Sequence, residues 1–521
     1  MSDIKRKITL SAFLMSFATF ISRISGYIKD MVLASFFGAS LVADTFFVAF
    51  RIPNLLRELF AEGSMSSAFI PVLTEQRTLK GEEEAKRIVR IVFTFIVIVV
   101  GTISLCGIVF APLIVKLIAP GFIPLPEKFN LTVLLTRIMF PFLLFISLAS
   151  LVMGALNVKK VFFIPAFAPV MLNLSIIFCL LIFGRYISPP IISVAIGVTL
   201  GGLFQFLFQV PSFFKQGYDL RPDREFKHEA LKKIALLLVP ATMAMAVSQI
   251  NIFVSTILAS FLKEGSITYL YYSMRLIQFP IGIFGVAMGM AVLPFFSEHA
   301  SRGEYELLKK DFSFAIRLLF YITIPAMVGL IVLRIEIIEV LFERGRFSHN
   351  DTLQTAYALF FYSLGIWSIV GVRIMTAFFY STQDTKTPVK IAATGMIINI
   401  IASIILMRFL EHGGLALANS IASWTNLTLL YYFLRKRFGS PGTSAIVLST
   451  LRTFLASLLM AFFVRFIYSI SLEFSDSKIL SLSTAIVTGP VFYITITYLL
   501  KSEEFLFLKD MFKKRGGRDE D

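Results

Sequence analysis

Apolar residues run in long blocks along almost the whole chain, separated by short segments rich in Lys and Arg. The blocks lie at residues 8–29, 43–73, 89–118, 131–156, 163–184, 190–214, 231–261, 268–296, 312–333, 353–380, 388–409, 414–434, 446–470 and 480–500. An α-helix rises about 1.5 Å per residue, so about 20 apolar residues cross a hydrocarbon layer about 30 Å thick. The pattern predicts an all-α polytopic membrane protein with about 14 transmembrane helices, since a helix satisfies its own backbone polar groups in lipid.

The connecting segments alternate in charge. One set holds Arg77, Lys80, Lys86, Arg87 and Arg90, then Lys159 and Lys160, the stretch from Lys215 to Lys233, then Arg302, Lys309 and Lys310, Lys386 and Lys390, and Arg435 to Arg437. The alternate set, which includes Lys116, Lys128 and Lys263, is poorer in bases. The positive-inside rule places the basic set in the cytoplasm, with both termini inside, which requires an even number of spans. Lys5, Arg6 and Lys7 precede the first block without a small-residue cleavage site, so that block is expected to be an uncleaved first span.

The pattern also repeats. Leu33-Ala34-Ser35-Phe36 recurs as Leu258-Ala259-Ser260-Phe261, an offset of 225. Phe50-Arg51-Ile52 matches Met274-Arg275-Leu276 at 224; Pro71 with Glu75 matches Pro294 with Glu298 at 223, and Pro165 matches Pro388 at 223. Six spans are thus expected to repeat as six in the same orientation, giving two lobes around a central cavity. The expected organisation is an N-terminal lobe at 1–222, a C-terminal lobe at 223–440, two further spans at 441–505 forming a groove for a lipid tail, and a basic cytoplasmic tail at 506–521.

Composition changes this picture little. The chain is 57% hydrophobic and 16% charged, too apolar to fold as a soluble globule. Its net charge of +16 does not imply nucleic-acid binding, because the bases lie in the short loops. Cys106 and Cys179 fall inside apolar blocks and read as core residues. There is no phosphate-binding loop, no histidine at metal-ligand spacing and no Ser-His-Asp or Cys-His arrangement, so a transporter is expected and not an enzyme, with no cofactor or metal.

Charge inside the first two blocks changes it more. They hold Arg23, Lys29, Asp30, Asp44, Arg51, Arg57, Glu58 and Glu62. A charge at hydrocarbon depth costs several kcal/mol unless it faces protein, water or a ligand. Arg23 and Asp30, seven apart, share a helical face, with Gly26 between them permitting a bend. Pro53 predicts a kink near Val48–Pro53, after which Asn54 and Arg57 project together. Arg275 occupies the repeat position of Arg51, with Gln278 three residues on. Guanidinium groups around a wet cavity make an anion receptor, and their planar fork suits phosphate oxygens. Glu58 and Glu62 are expected to be structural partners of these cations. Arg137, Arg373 and Arg452 are expected to snorkel, and Asn173, Asn399 and Asn426 to join helices. Gly285 and Gly289 have the spacing of a small-residue helix contact.

The strings SRISGYIKD (22–30), ADTFFVAFRIPNLLRELFAEGSMSSAFIPVL (43–73), GSITYLYYSMRLIQFP (265–280) and QDTKTPVK (383–390) resemble the MurJ/MviN family. These are bacterial lipid II flippases of the multidrug/oligosaccharidyl-lipid/polysaccharide exporter superfamily, and the resemblance extends over about residues 8–437. It implies a 14-span, two-lobed flippase of the cytoplasmic (inner) membrane. Its cargo would be undecaprenyl-pyrophosphate-linked disaccharide-pentapeptide, carried to the outer leaflet by alternating access for peptidoglycan synthesis. The family's substrate-binding cations fall on Arg23, Lys29, Arg57 and Arg275, and Asp30, Asp44, Asn54, Arg51, Thr268 and Gln278 fall in supporting positions. Lys29 keeps the charge of the arginine found in many relatives but loses its fork, and Gln278 stands where relatives often have Glu. Segment 388–409 has no Asp or Glu, so no sodium site is expected there. The implied partners are lipid II, membrane lipids and the cell-wall synthesis machinery, with membrane potential or an ion gradient as the drive.

Two alternatives stand beside this reading. One is a flippase for another polyprenyl-pyrophosphate-linked oligosaccharide, or a multidrug exporter of the same superfamily. The other is a non-transporting scaffold. The PNLLR–FAEG string argues against the other flippase, the cationic residues against a cation-drug exporter, and the deep arginines against a scaffold.

Overall fold

The computed structural model describes the backbone of residues 2–58 and 64–516, and the side chains of 13–58, 68–238, 249–285 and 287–510. Among the described residues every regular element is helical. Glu62 and Gly63 lie outside the described residues. Among the described residues ten helical segments are long and apolar enough to cross a membrane, the first being Glu82–Val109 and the last Lys478–Leu499. Predicted segments 8–29, 43–73 and 231–261 are not among those ten.

The chain divides into two compact units, Met1–Thr268 and Tyr269–Asp521. The first contains α1 (Ser2–Phe37), α2 (Leu41–Arg57), α3 (Ser64–Lys80), α4 (Glu82–Val109), α5 (Ala111–Ile118), α6 (Pro126–Met139), α7 (Phe142–Val158), α8 (Phe163–Phe167), α9 (Pro169–Phe183), α10 (Ile191–Lys215) and α11 (Glu229–Ser260). Next come α12 (Ser266–Pro280), which opens just before the division, α13 (Val286–Ser301), α14 (Tyr305–Val332), α15 (Arg334–Phe342), α16 (His349–Ser363), α17 (Ile366–Ser381), α18 (Lys386–Phe438), α19 (Thr443–Ser475), α20 (Lys478–Leu499) and α21 (Glu503–Gly516). The division lies later than the expected lobe boundary at 222, because α11 packs on α3 and its C-terminal end is tied to the loops around α2 and α6.

Helix order carries the repeat seen in the sequence. α4 and α14 are both 28 residues long, and their first residues are 223 apart. The starts of α5 and α15, and of α6 and α16, are also 223 apart, and those of α7 and α17 are 224 apart. The turns repeat with the helices. Left-handed backbone recurs at Gly81 and Gly303, at Lys160 (φ 63) and Gln383 (φ 60), and at Gly217 and Gly439 (φ 80 and 82). A non-glycine residue in that region costs about 1 kcal/mol, so its recurrence marks a turn the fold requires twice.

α18 is too long to be one straight span. Its backbone leaves the helical region at Glu411 (φ 49, ψ −128). A Cβ on Gly414 would stand 2.4 Å from the carbonyl oxygen of Leu406, and one on Gly395 would meet Asn426 Oδ1 at 2.1 Å. Residues equidistant from the turn are therefore in contact, and the chain doubles back as two antiparallel arms matching predicted blocks 388–409 and 414–434. The equivalent α9–α10 pair packs the same way, with Gly197 against Ser175 and Ile176 and Gly201 against Leu172. α1 runs through Gly26 and α2 through Pro53 without a break in helical pattern, and Glu58, which caps α2, keeps helical dihedrals (φ −62, ψ −39).

Apolar side chains cover the outer surface of the spans, including Phe462 and Phe466 on α19 and Val487 and Val491 on α20. α19 and α20 pack on α14, where Tyr493 donates to the Tyr321 carbonyl at 2.8 Å and Tyr321 Oη lies 2.7 Å from Thr497 Oγ1. Cys179 is buried in α9, whereas Cys106 is exposed on α4 beside exposed Leu105, Val109 and Phe110.

Candidate functional site

α2 begins where Ser40 caps its first turn, its hydroxyl oxygen accepting from Ala43 N. One turn in, Asp44 is 1% exposed. A carboxylate so buried needs every lone pair met. Its Oδ2 accepts from Lys128 Nζ at 3.0 Å and Gly265 N at 2.9 Å, and its Oδ1 from Thr268 N at 3.1 Å and Thr268 Oγ1 at 2.8 Å. Lys128, on α6, is equally enclosed and lies 4.3 Å from the centre of the Phe122 ring. Two further bonds reinforce the junction. Leu41 N donates to Glu264 Oε1, and Gly121 N donates to Ser260 Oγ at 3.1 Å. The start of α2, the start of α6 and the α11–α12 connection are thereby held as one clamp.

The other end of α2 is more open. Arg57 Nε donates to Asn54 Oδ1 at 3.1 Å, and its guanidinium lies 3.9 Å from Glu58 Oε1. Asn54 Nδ2 donates to the same Glu58 oxygen at 3.0 Å, while Gln249 Nε2, from α11, donates to Glu58 Oε2 at 2.7 Å. Asn54, Arg57 and Glu58 are all half-buried. Asn54 and Glu58 thus contact a partly accessible arginine, Gln249 steadies Glu58, and the charge-assisted bonds orient the guanidinium.

On α1, Lys29 Nζ lies 3.1 Å from Asp30 Oδ1, and Asp30 is fully buried. Arg23, two turns earlier, is exposed. Between them Ser25 accepts from Asn173 Nδ2 at 2.9 Å, so Asn173 joins α9 to α1 as its apolar setting suggests. Arg51 is half-buried. In the second unit Arg275 is half-buried on α12 and Gln278 is exposed. α12 is held by Tyr269, whose hydroxyl donates to Asp351 Oδ1 at 2.9 Å, and by Ser273, which donates to the Thr355 carbonyl at 2.8 Å.

Three residues of these networks escape sequence reasoning. Lys128 sits among the base-poor loops and meets its partner 84 residues away. Gln249 stands two residues before Asn251 in an apolar block, and that pair of amides is the signal that points to it. Glu264 lies beside the quoted GSITYLYYSMRLIQFP string without belonging to it.

The QDTKTPVK segment forms a separate polar turn. Asp384 accepts from Lys386 N at 3.1 Å, Thr387 N at 3.0 Å and Thr387 Oγ1 at 2.7 Å, and Arg437 Nη1 lies 2.7 Å away. Burial pushes its carboxyl up, but these donors and the Arg437 charge outweigh it and hold the group below the ordinary aspartate value. Elsewhere Glu339, Glu343 and His349 bring ligand-type atoms within 4.8 Å of one another, with Glu339 already paired to Lys478. Those contacts describe an ion-pair cluster.

The family model described as lipid II flippase MurJ matches residues 33–484. A probable lipid II flippase MurJ of Buchnera aphidicola subsp. Schizaphis graminum is 35% identical over 504 residues, covering 95% of this chain and 98% of the relative. That of Vibrio cholerae is 38% identical over 435 residues, covering 82% and 83%. A solved lipid II flippase MurJ in an inward closed conformation superposes with TM-score 0.78 at 30% identity, over 94% of this chain and 98% of that one. A multidrug resistance MATE family transporter shares the fold, with TM-score 0.67 at 14% identity over 83% of this chain and 99% of that one. With its family model spanning most of the chain and relatives matched over most of their length, the chain belongs to the lipid II flippase MurJ family.

Proposed function

We propose that this protein flips lipid II from the inner to the outer leaflet of the bacterial cytoplasmic membrane by alternating access, acting as a transporter and not as an enzyme. The observation that carries the reading is the end of α2, where Asn54 and Glu58 orient a half-buried Arg57. A guanidinium held in plane and left accessible suits a pyrophosphate, whose oxygens accept paired hydrogen bonds. Arg23, Lys29 and Arg57 of the first unit and Arg275 of the second are the cations assigned to that group. Asp30, Asn54, Arg51 and Gln278 support them. Asp44 and Thr268 support the site mechanically, through the clamp they share.

The charge alternation of the loops supports cytoplasmic placement of both termini. The groove beside α19 and α20 would carry the polyprenyl tail, and cell-wall synthases would take the product. A negative-inside potential favours outward movement of an anion by about 2.3 kcal/mol per charge per 100 mV if the charge crosses the whole field. The test is the amount of lipid II reachable by an external probe in cells depleted of their own flippase and carrying this gene. Restored outer-leaflet lipid II and growth are expected. Lipid II confined to the inner leaflet, with this protein present in the membrane, would sink the reading.

A further inference from the structure

Between α12 and α13 the helix is interrupted by a single π turn, Ile281–Gly285, following Pro280. Such turns are rare in helices and concentrate at functional sites. α17 lies against this break. A Cβ on Gly285 would stand 3.4 Å from Arg373 Cδ and 2.8 Å from Val370 Cγ1, and one on Gly289 would stand 3.6 Å from Arg373 Cβ. The two glycines, four residues apart on the broken helix, are the bed on which the Arg373 stem rests. Their small-residue spacing thus seats a charged side chain.

The head of that side chain is differently placed. Arg373 is exposed, on a segment long and apolar enough to span a membrane. It stands eight residues before Ser381, the last residue of α17, which is about 12 Å of helix. Helical side chains lean toward the helix N-terminus, so Arg373 leans away from the Ser381 end and not toward the nearer interface. The snorkelling expected of it from sequence therefore runs against the direction of its own Cα–Cβ bond. At the offsets of 223 and 224 the first unit has Ser150 and Ala149, both buried, so neither supplies an equivalent cation. Arg275 stands on the same broken helix, ten to fourteen residues before the glycines, or roughly 15–20 Å along it.

We infer that Arg373 is a second phosphate-binding station of the C-terminal unit, displaced along the α12–α13 run from Arg275, and that its ligand is the pyrophosphate of a polyprenyl-pyrophosphate lipid. A stem packed on two glycines keeps few rotamers, so little freedom is lost when the guanidinium takes an anion. The cost of a charge at this depth is met by the passing phosphate. The inference rests on the proposed function, in which Arg275 also serves pyrophosphate. Two cations spaced along the α12–α13 run, one on α12 and one on α17 packed against it, let the anion pass from one to the other without being bare of charge partners.

The test is native mass spectrometry of the purified full-length protein, titrated separately with undecaprenyl pyrophosphate, undecaprenol and phosphatidylglycerol. Arg373→Gln should weaken undecaprenyl pyrophosphate binding about tenfold, as expected for loss of a charge-assisted pair, and leave undecaprenol and phosphatidylglycerol unchanged. Arg373→Lys should recover part of the loss. Gly289→Leu, which keeps the guanidinium but crowds its stem, should weaken the same ligand, and it carries the test if Arg373→Gln does not fold. Parent-like pyrophosphate binding by Arg373→Gln, alongside loss in Arg275→Gln, overturns the station and leaves the proposed function standing. Parent-like binding by both variants overturns both. An equal loss of phosphatidylglycerol binding in Arg373→Gln would show a bilayer headgroup site and overturn the inference.

Discussion

At the start of α2, Asp44 is 1% exposed and accepts four hydrogen bonds; at its end, Arg57 leaves 21% of its side chain accessible and shares Glu58 with Asn54 and Gln249. One helix thus carries two charged places of opposite design. The buried acid is saturated by a lysine, two backbone amides and a hydroxyl, so it has nothing left to offer a ligand. The half-buried arginine is oriented but not closed off. Charge count in a span is therefore a poor guide to function on its own; what separates clamp from receptor here is burial, 1% exposure for Asp44 against 21% of the side chain for Arg57.

The largest effect should come from breaking the closed end. Asp44→Ala leaves Lys128 buried without its counter-charge and strips two amides of their acceptor, a loss of about 3–5 kcal/mol. Thermal unfolding followed by size-exclusion chromatography should show a strongly destabilised protein, and Asp44→Asn with Lys128→Met should regain much of it. If Asp44→Ala melts like the parent, the contrast between the two ends disappears. Arg57→Ala should do the reverse. Its melting should stay close to the parent, while outer-leaflet lipid II falls at least about tenfold, the scale of a lost charge-assisted pair. A large drop in melting temperature would make Arg57 a structural residue.

Gln249→Ala sharpens the comparison further. It removes a donor from Glu58 and frees that acid to draw Arg57 closer, at a cost of about 1.5–3 kcal/mol for a bond to a charged group. Transport should fall by a smaller factor than in Arg57→Ala, and Gln249→Glu should fall further through like-charge repulsion with Glu58. The smallest effect lies away from α2. Asp384 has a lowered carboxyl value, so it stabilises the fold above the ordinary aspartate value of 3.8, and that contribution is lost as pH falls through the folded value. Asp384→Asn should therefore narrow the stability gap between neutral pH and about pH 3. An unchanged pH dependence would show that the Thr387 and Arg437 contacts contribute nothing net.

Much of the architecture was legible because bilayer physics writes it into hydrophobic blocks. The repeat was readable at Pro165 and Pro388 and at Arg51 and Arg275, and the recurrence of left-handed turns at Lys160 and Gln383 places it in the backbone. The structure gave Glu58 the expected cationic partner, Arg57, and added the amides of Asn54 and Gln249. Long-range pairing was not legible. Nothing near Lys128 in the chain indicates Asp44, and nothing near Glu264 indicates Leu41, since such bonds depend on which loops the helices bring together. The tight reversal at Glu411 was also hidden, because blocks 388–409 and 414–434 look like spans joined by an ordinary short loop. The snorkelling expected of Arg373 rests on its distance to a span end, a measure that omits the direction in which a helical side chain leans.

The two cysteines have a practical consequence. Charged alkylating reagents stay out of hydrocarbon and reach only thiols that water also reaches. Cys179 is buried, and Cys106 shares an apolar outer face with Leu105, Val109 and Phe110, the surface a span turns toward lipid. The natural chain should thus be nearly silent toward charged, membrane-impermeant maleimides. A single cysteine placed at Arg57 or Arg373 would be read against a dark background, so the wetting of either position can be followed in intact cells without first rebuilding the protein.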